Sequence, residues 1–248
     1  MPPERVGICV LYPELLGTYG DGGNAVVLAQ RLQWRGIDAE IVDVRGGDPA
    51  PDSCDVYLMG GGEDGPQALA ATELLASRAL HRAVDRGAVV LAVCAGFQLL
   101  GHEFLGAEAP HPGLGLLDAR TDRRTSPRRV GELVARPDPA LGLPALTGYE
   151  NHAGMTALGA GAQPLGRVVH GFGNDGSGVE GAVADRVVGT YLHGPALARN
   201  AALADLLLSW VVGPLPPVDD HEVAALRQER LAAAGRDSRR RHLLAWRR

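Results

Sequence analysis

The chain has 248 residues, 46% of them hydrophobic and 21% charged, which is ordinary for a globular protein and enough to bury a substantial core. Its net charge of −5 argues against a general nucleic-acid-binding protein, which would normally be basic. The sequence contains neither an apolar run long enough to span a membrane nor a signal peptide at its start, so we expect a cytoplasmic protein.

All 24 basic residues are arginines, because the sequence contains no lysine. A phosphate-binding loop of the Walker type needs a lysine, and so does a Schiff base. The chain is therefore poorly equipped to activate a substrate with ATP by itself.

The first hundred residues alternate between strand-like apolar runs and helical patterns. Strands are predicted at residues 6–11, 39–44, 56–59 and 88–93, and helices at residues 24–34 and 69–84. This alternation predicts an α/β fold with a mainly parallel central sheet and helices on both faces.

After Gly101, glycine and proline become frequent and the predicted strands become shorter. Residues 131–135 and 186–191 are interpreted as strands of a small antiparallel extension, and residues 200–212 as a helix. We therefore predict one domain over residues 1–213. Residues 214–248 are predicted to be a proline-rich linker and an arginine-rich helical tail.

The tail has two interpretations. Residues 227–248 contain eight arginines and only two acidic residues. Such a segment is either a solvated tail or a docking segment for an acidic surface on a partner.

Cys94 lies where a predicted strand ends and a helix begins. A side chain at such a junction is expected to be exposed above the carboxyl edge of the sheet. The small residues Ala95 and Gly96 leave room for a substrate, and free backbone N–H groups there would stabilise a thiolate or an oxyanion. Cys9 and Cys54 are instead interpreted as core thiols, free in a reducing compartment.

Residues 94–101 have the pattern Cys-x-Gly-x-Gln-x-x-Gly, which resembles the nucleophile elbow of class I glutamine amidotransferases. The resemblance implies a flavodoxin-like α/β fold in which Cys94 attacks the side-chain amide of glutamine and Gln98 helps to bind that substrate. The glycines at positions 60–62 resemble the oxyanion strand of that family. Gly61 or Gly62 would then form the oxyanion hole together with the N–H of Ala95.

His193 is the best candidate base among eight histidines, because it ends a strand-like run and the following glycine and proline should expose its ring. His152 is the second candidate. Class I enzymes usually continue from the histidine as His-x-Glu, but Pro195 occupies the acidic position here, as in the branch that resembles cobyric acid synthases. The group that orients the imidazole would be an internal acid such as Asp205, or an acid from a partner subunit.

Four stretches together resemble a narrower family, the glutaminase subunits of lipid II isoglutaminyl synthases (GatD). They are residues 11–24, 60–67, 149–152 and 189–195. The resemblance implies a heterodimer with a MurT-like Mur ligase, which would bind ATP and Mg²⁺ and amidate the D-glutamate of membrane-bound lipid II to D-isoglutamine. It implies no cofactor or metal in this chain, and it assigns Arg128 to the substrate glutamine, whose α-carboxylate suits the guanidinium fork.

Three alternatives remain open. One is another cysteine hydrolase or peptidase of the same fold. A second is a non-catalytic regulatory subunit, which the missing acid after His193 supports. The third is the amidotransferase portion of a corrinoid-synthesising enzyme, which is disfavoured because the expected synthetase domain is absent from the sequence.

Overall fold

The computed structural model describes residues 4–106, 109–123 and 127–245, with the side chains of Arg123 and of residues 236–245 left undescribed. The strands are β1 (Arg5–Leu11), β2 (Asp38–Val44), β3 (Val56–Met59), β4 (Val89–Val93), β5 (Glu103–Leu105), β6 (Pro110–Pro112), β7 (Ala119–Arg123), β8 (Arg129–Pro137), β9 (Leu146–His152), β10 (Gly154–Leu158), β11 (Gly166–His170), β12 (Val179–Glu180), β13 (Ala182–Ala184) and β14 (Val187–Thr190). The helices are α1 (Pro13–Leu16), α2 (Gly23–Gln33), α3 (Asp64–Ser77), α4 (Ala79–Asp85), α5 (Ala95–Leu100), α6 (Ala196–Arg199), α7 (Ala201–Val212) and α8 (His221–Ala245).

The central sheet has six strands in the order β13-β14-β4-β3-β1-β2. Its strands are parallel except for β13, which pairs antiparallel with β14 at one edge. The residues of β3, β4 and β14 are all buried, as expected for strands covered by helices. The predicted α/β class is confirmed, and the order of the parallel strands is the flavodoxin-like one.

The second half of the chain forms more sheet than the sequence predicted. One four-stranded sheet has the order β10-β7-β5-β6 and contains a parallel β5–β7 pair. Another has the order β12-β11-β8-β9 and is antiparallel throughout. The antiparallel extension therefore consists of two sheets, one of them mixed.

Two predicted elements differ in the structure. The helix predicted over residues 69–84 is two helices, α3 and α4, because Arg78 between them adopts a left-handed conformation with φ of 51°. The strand predicted over residues 186–191 does not belong to an antiparallel patch. As β14 it pairs in parallel with β4, which brings the residues after it to the carboxyl edge beside Cys94.

The segment after Gly213 is held against the domain by Arg31 of α2 and by Arg35, which follows that helix. Arg31 is only 3% exposed and binds both Asp205 and Asp220, while Arg35 binds Asp205 and the carbonyl of Pro216. The first half of α8 packs on β8, β9 and β11. The predicted division at residue 213 stays a prediction, and the last three residues of the predicted tail lie outside the described residues.

Among the residues that the structure describes, we find no helix that is both long and apolar enough to cross a membrane.

Candidate active site

Cys94 occupies the turn between β4 and α5. Its backbone has φ of 54° and ψ of −107°, a conformation that non-glycine residues rarely adopt and that is typical of a nucleophile elbow. A side chain at Gly96 would lie 2.7 Å from the Cβ of Met59, so only glycine fits behind the turn. The prediction of an exposed thiol is wrong for this chain, since Cys94 is 5% exposed and opens only into a cleft.

The cleft in front of Cys94 is lined mainly by polar residues. Its walls come from the loop after β3, from α3 and α5, from β5 and β7, and from the residues around the start of β8 and the turn between β9 and β10. The lining residues are Gly62, Glu63, Asp64, Gln67, Cys94, Ala95, Gln98, Leu105, Thr121, Arg128, Asn151, His152, Ala153 and Gly154. Five of the predicted site residues, Gly62, Cys94, Ala95, Gln98 and Arg128, therefore share one cleft.

His193 follows β14, the strand paired with β4, and it does not line this cleft. Its Nδ1 is 3.2 Å from Oδ2 of Asp21, and its Nε2 has no hydrogen-bond partner. Because a carboxylate only accepts hydrogen bonds, Nδ1 carries the proton and Nε2 is free to act as a base. The expectation of an exposed ring is wrong, because His193 has no exposed surface.

The carboxylate beside His193 belongs to Asp21, a residue that the sequence did not indicate for this role. Asp205, the internal acid suggested by the sequence, is instead engaged by Arg31 and Arg35. The position two residues after His193 is proline, so the orienting carboxylate comes from a loop 172 residues earlier in the chain. Asp21 lies within residues 11–24, which resemble the GatD subunits, but nothing in that pattern indicates Asp21 as the partner of a histidine.

Two tyrosines fix the plane of the imidazole. Tyr149 stacks on His193 with ring centroids 5.2 Å apart, and Tyr19 meets it edge-on at 5.1 Å. A Cβ at Gly61 would lie 2.9 Å from Cε1 of His193, so the glycine allows the ring to approach the β3 loop. The imidazole is thus packed on several sides and has little freedom to rotate.

The predicted oxyanion glycines have different roles in the structure. The N–H of Gly61 donates to Oδ2 of Asp21 at 2.9 Å, so it helps to hold the carboxylate and is not available to a substrate. Gly62 lines the cleft, and the N–H of Ala95 interacts with the sulfur of Cys94. The pair that could form the hole is therefore Gly62 and Ala95.

Burial, and after it the negative charge of Asp21, raise the pKa of the Cys94 thiol to about 12. The N–H of Ala95 and the guanidinium of Arg128 oppose this rise. A thiol with so high a pKa is protonated at neutral pH, so it requires a base at the moment of attack.

Arg128 lies at the rim of the cleft. It donates to the side chain and the carbonyl of Asn151 and to the hydroxyl of Tyr19, and Glu63 lies 3.9 Å away. Tyr19 in turn donates to Glu63. A cation and an anion side by side at the entrance can bind a zwitterionic amino acid through its carboxylate and its ammonium group.

Gln98 is fixed at the floor of the cleft. Its Oε1 accepts from Nε2 of Gln67 at 2.9 Å, and its Nε2 donates to the hydroxyl of Tyr191 at 3.1 Å. The same Gln67 nitrogen donates to the carbonyl of Ala95, and Tyr191 is bonded to Thr156. One N–H of the Gln98 amide remains for a ligand.

Comparison with known proteins identifies the family of this chain. The CobB/CobQ-like glutamine amidotransferase domain matches residues 7–201. The GatD subunit of the glutamine-hydrolysing lipid II isoglutaminyl synthase of Staphylococcus aureus strain N315 is 37% identical over 197 residues, which cover 78% of this chain and 79% of that protein. The corresponding subunit of Streptococcus pneumoniae strain R6 is 35% identical, over 84% of this chain and 80% of its own length.

A crystal structure described as a glutamine amidotransferase aligns with a TM-score of 0.55 and 21% identity, over 82% of this chain and 98% of its own. That likeness concerns the fold alone. With the domain match and the two GatD relatives, the chain belongs to the family of CobB/CobQ-like glutamine amidotransferases.

Proposed function

We propose that this chain is the glutaminase subunit of a two-protein, ATP-dependent amidotransferase. It hydrolyses L-glutamine at Cys94 and passes the ammonia to a MurT-like Mur ligase, which amidates the D-glutamate of lipid II to D-isoglutamine in the cytoplasm. The observation that carries the proposal is the elbow cysteine, which faces a polar cleft, together with the buried His193–Asp21 pair that follows the neighbouring strand. The two GatD relatives supply the pathway and the expectation of a partner.

In the first half of the reaction, Nε2 of His193 takes the thiol proton and the sulfur of Cys94 attacks the amide carbon of glutamine. The N–H groups of Gly62 and Ala95 would stabilise the oxyanion. The tetrahedral intermediate then collapses to a thioester, and the proton held by His193 goes to the departing ammonia.

In the second half, His193 takes a proton from water, which attacks the thioester carbon. Collapse releases glutamate and returns the thiol. Asp21 holds Nδ1 and stabilises the imidazolium that forms in both halves. The substrate would be positioned by Arg128 on its α-carboxylate, by Glu63 on its α-ammonium group and by Gln98 on its side-chain amide.

The synthetase chemistry belongs to the partner in this proposal. ATP and Mg²⁺ would bind the Mur ligase subunit, because a chain without lysine has no Walker-type phosphate site. The ammonia would leave the cleft toward that subunit.

The proposal is tested by co-expressing the chain with a Mur-ligase-like protein from the same genome and purifying the complex. Glutamate release and ATP-dependent amidation of lipid II are both expected. Cys94→Ala and His193→Ala should abolish the use of glutamine while free ammonium still supports amidation. Cys54→Ala, which removes a thiol outside the cleft, should leave both activities intact.

Two results would contradict the proposal. If no complex with a Mur ligase forms, the assignment of the partner fails. If the complex leaves glutamine intact but the chain cleaves peptides in a Cys94-dependent manner, the protein is a peptidase of the same fold.

A further inference from the structure

Two cysteines outside the candidate active site contact each other. Cys9 lies in the middle of β1, and Cys54 lies in the loop that leads into β3. Each thiol perturbs the pKa of the other, so the two side chains are neighbours. Neither residue lines the cleft of Cys94, and the proposed reaction uses neither of them.

The backbone holds the two sulfurs on the same face of β1. A Cβ at Gly7 would lie 3.4 Å from Cα and 3.5 Å from Sγ of Cys54, so Cys54 packs directly over Gly7. Side chains two residues apart on a strand point to the same side, which places Cys9 next to the same loop. The contact therefore follows from the packing of the loop on the strand.

The loop that carries Cys54 is itself fixed. Tyr57 accepts a hydrogen bond from the N–H of Cys54 and donates one to the carbonyl of Pro51. Asp55 accepts from the N–H of Gly7, and its own N–H donates to the carbonyl of Gly7. A fixed loop keeps the two thiols together instead of letting them separate.

The two thiols differ in reactivity. Cys54 is half-buried and Cys9 is fully buried, so a small oxidant reaches Cys54 first. The neighbouring thiol of Cys9 lowers the pKa of Cys54, whereas the neighbouring Cys54 and burial raise the pKa of Cys9. Burial also raises the pKa of Cys94, so Cys54 should react before Cys94 with an oxidant that attacks thiolates.

We propose that Cys9 and Cys54 are a redox-modifiable pair that forms a reversible intramolecular disulfide on exposure to a low-molecular-weight disulfide. With oxidised glutathione, the thiolate of Cys54 attacks one sulfur and releases one glutathione thiol, which leaves a mixed disulfide on Cys54. Cys9 loses its proton to solvent and attacks the sulfur of Cys54, which releases the second glutathione thiol. Two protein thiols are oxidised and one glutathione disulfide is reduced to two thiols.

The disulfide would close the chain between residues 9 and 54. This segment includes the end of β1, the helices α1 and α2, strand β2 and the loop that carries Asp21. Closing a long loop stabilises a fold chiefly by restricting the unfolded chain. The bond would therefore secure the segment that supplies the acid of the candidate site, without entering the cleft.

The test uses the native full chain, incubated with oxidised and reduced glutathione at defined ratios and then cleaved after arginine. The sequence places the three cysteines on three different peptides, which cover residues 6–31, 46–78 and 87–120. We expect the number of free thiols to fall from three to one, with peptides 6–31 and 46–78 joined. Dithiothreitol should reverse the change, and the oxidised chain should melt several degrees higher than the reduced one.

Three variants serve as controls. Cys94→Ala should still lose two thiols, whereas Cys54→Ser and Cys9→Ala should form no internal cross-link and show no oxidation-dependent rise in Tm. The proposal is overturned if glutathione stays attached to Cys54 without a cross-link, if Cys94 joins either partner, or if all three thiols persist at the most oxidising ratio.

Discussion

Replacing Asp21 by asparagine removes the negative charge behind His193 while keeping the shape of the side chain. The amide oxygen can occupy the position of Oδ2, where the carboxylate now accepts from Gly61 and faces Nδ1 of the histidine at 3.2 Å. The geometry then survives, but the imidazolium loses its counter-charge. For charge centres about 4 Å apart and an effective dielectric constant of about 20, that attraction is about 4 kcal/mol. Its loss corresponds to about a 10³-fold fall in rate.

Because Asp21 does not line the cleft, the loss should fall on kcat and leave KM for glutamine nearly unchanged. The assay is glutamate release by the purified chain together with its synthetase partner. The matched control is Asp205→Asn, which breaks the ion pairs with Arg31 and Arg35 and should lower Tm without lowering kcat. The assignment of Asp21 is refuted if Asp21→Asn keeps kcat within threefold, or if folded Asp205→Asn loses as much.

Gly61→Ala should lower kcat at least tenfold, because its Cβ would displace the candidate base. The control is Gly65→Ala in α3, where a Cβ meets nothing within 4 Å and kcat should stay unchanged. Equal activity of the two variants would contradict this prediction. Arg128→Lys should raise KM for glutamine about 10- to 100-fold, because lysine lacks the planar guanidinium group that matches a carboxylate. Arg136→Lys, at an exposed position outside the cleft, is the control and should leave KM unchanged. Glu180 is fully buried, and burial raises its pKa to about 7, so the stability it contributes is complete below about pH 4.5 and is lost as pH rises through 7. The free energy of unfolding of Glu180→Gln, measured relative to the parent by thermal unfolding, should therefore be higher at pH 8 than at pH 5, by at most about 3 kcal/mol. A difference between the two proteins that does not change with pH would exclude this account.

Strands β1 to β4 of the central sheet could be predicted from the sequence because each is a short, largely apolar run between turn residues, whereas β13 was not predicted. The predicted strand at residues 56–59 coincides with β3, and that at residues 6–11 lies within β1. Periodicity could not detect the break at Arg78, since a single left-handed residue interrupts a helix without changing its apolar pattern. It also could not assign β14 to the parallel sheet, because partner and direction depend on contacts far apart in the sequence.

Some residues of the candidate site could be predicted from the sequence and others could not. Cys94 and His193 could be proposed because each follows a buried strand, and the carboxyl ends of adjacent parallel strands meet at one edge. Asp21 could not, because it lies in a glycine-rich loop whose conformation is set by contacts with Gly61 and His193. The sequence also could not distinguish Gly61, which donates to Asp21, from Gly62, which is available for an oxyanion hole. Only the observed direction of the Gly61 N–H distinguishes them.

The position of Asp21 also suggests why Cys94 would be an unreactive thiol in the resting site and a nucleophile only during the proposed reaction. Its negative charge raises the pKa of Cys94, so an isolated thiolate is disfavoured in the resting site. The same carboxylate lies 3.2 Å from Nδ1 of His193, so its charge would attract the imidazolium that a proton transfer creates. When the proton moves from sulfur to Nε2, the attraction between Asp21 and the imidazolium offsets the repulsion between Asp21 and the thiolate. The thiolate is therefore expected to form only together with the imidazolium. Such a site favours attack on a substrate already held beside both groups over reaction with passing electrophiles.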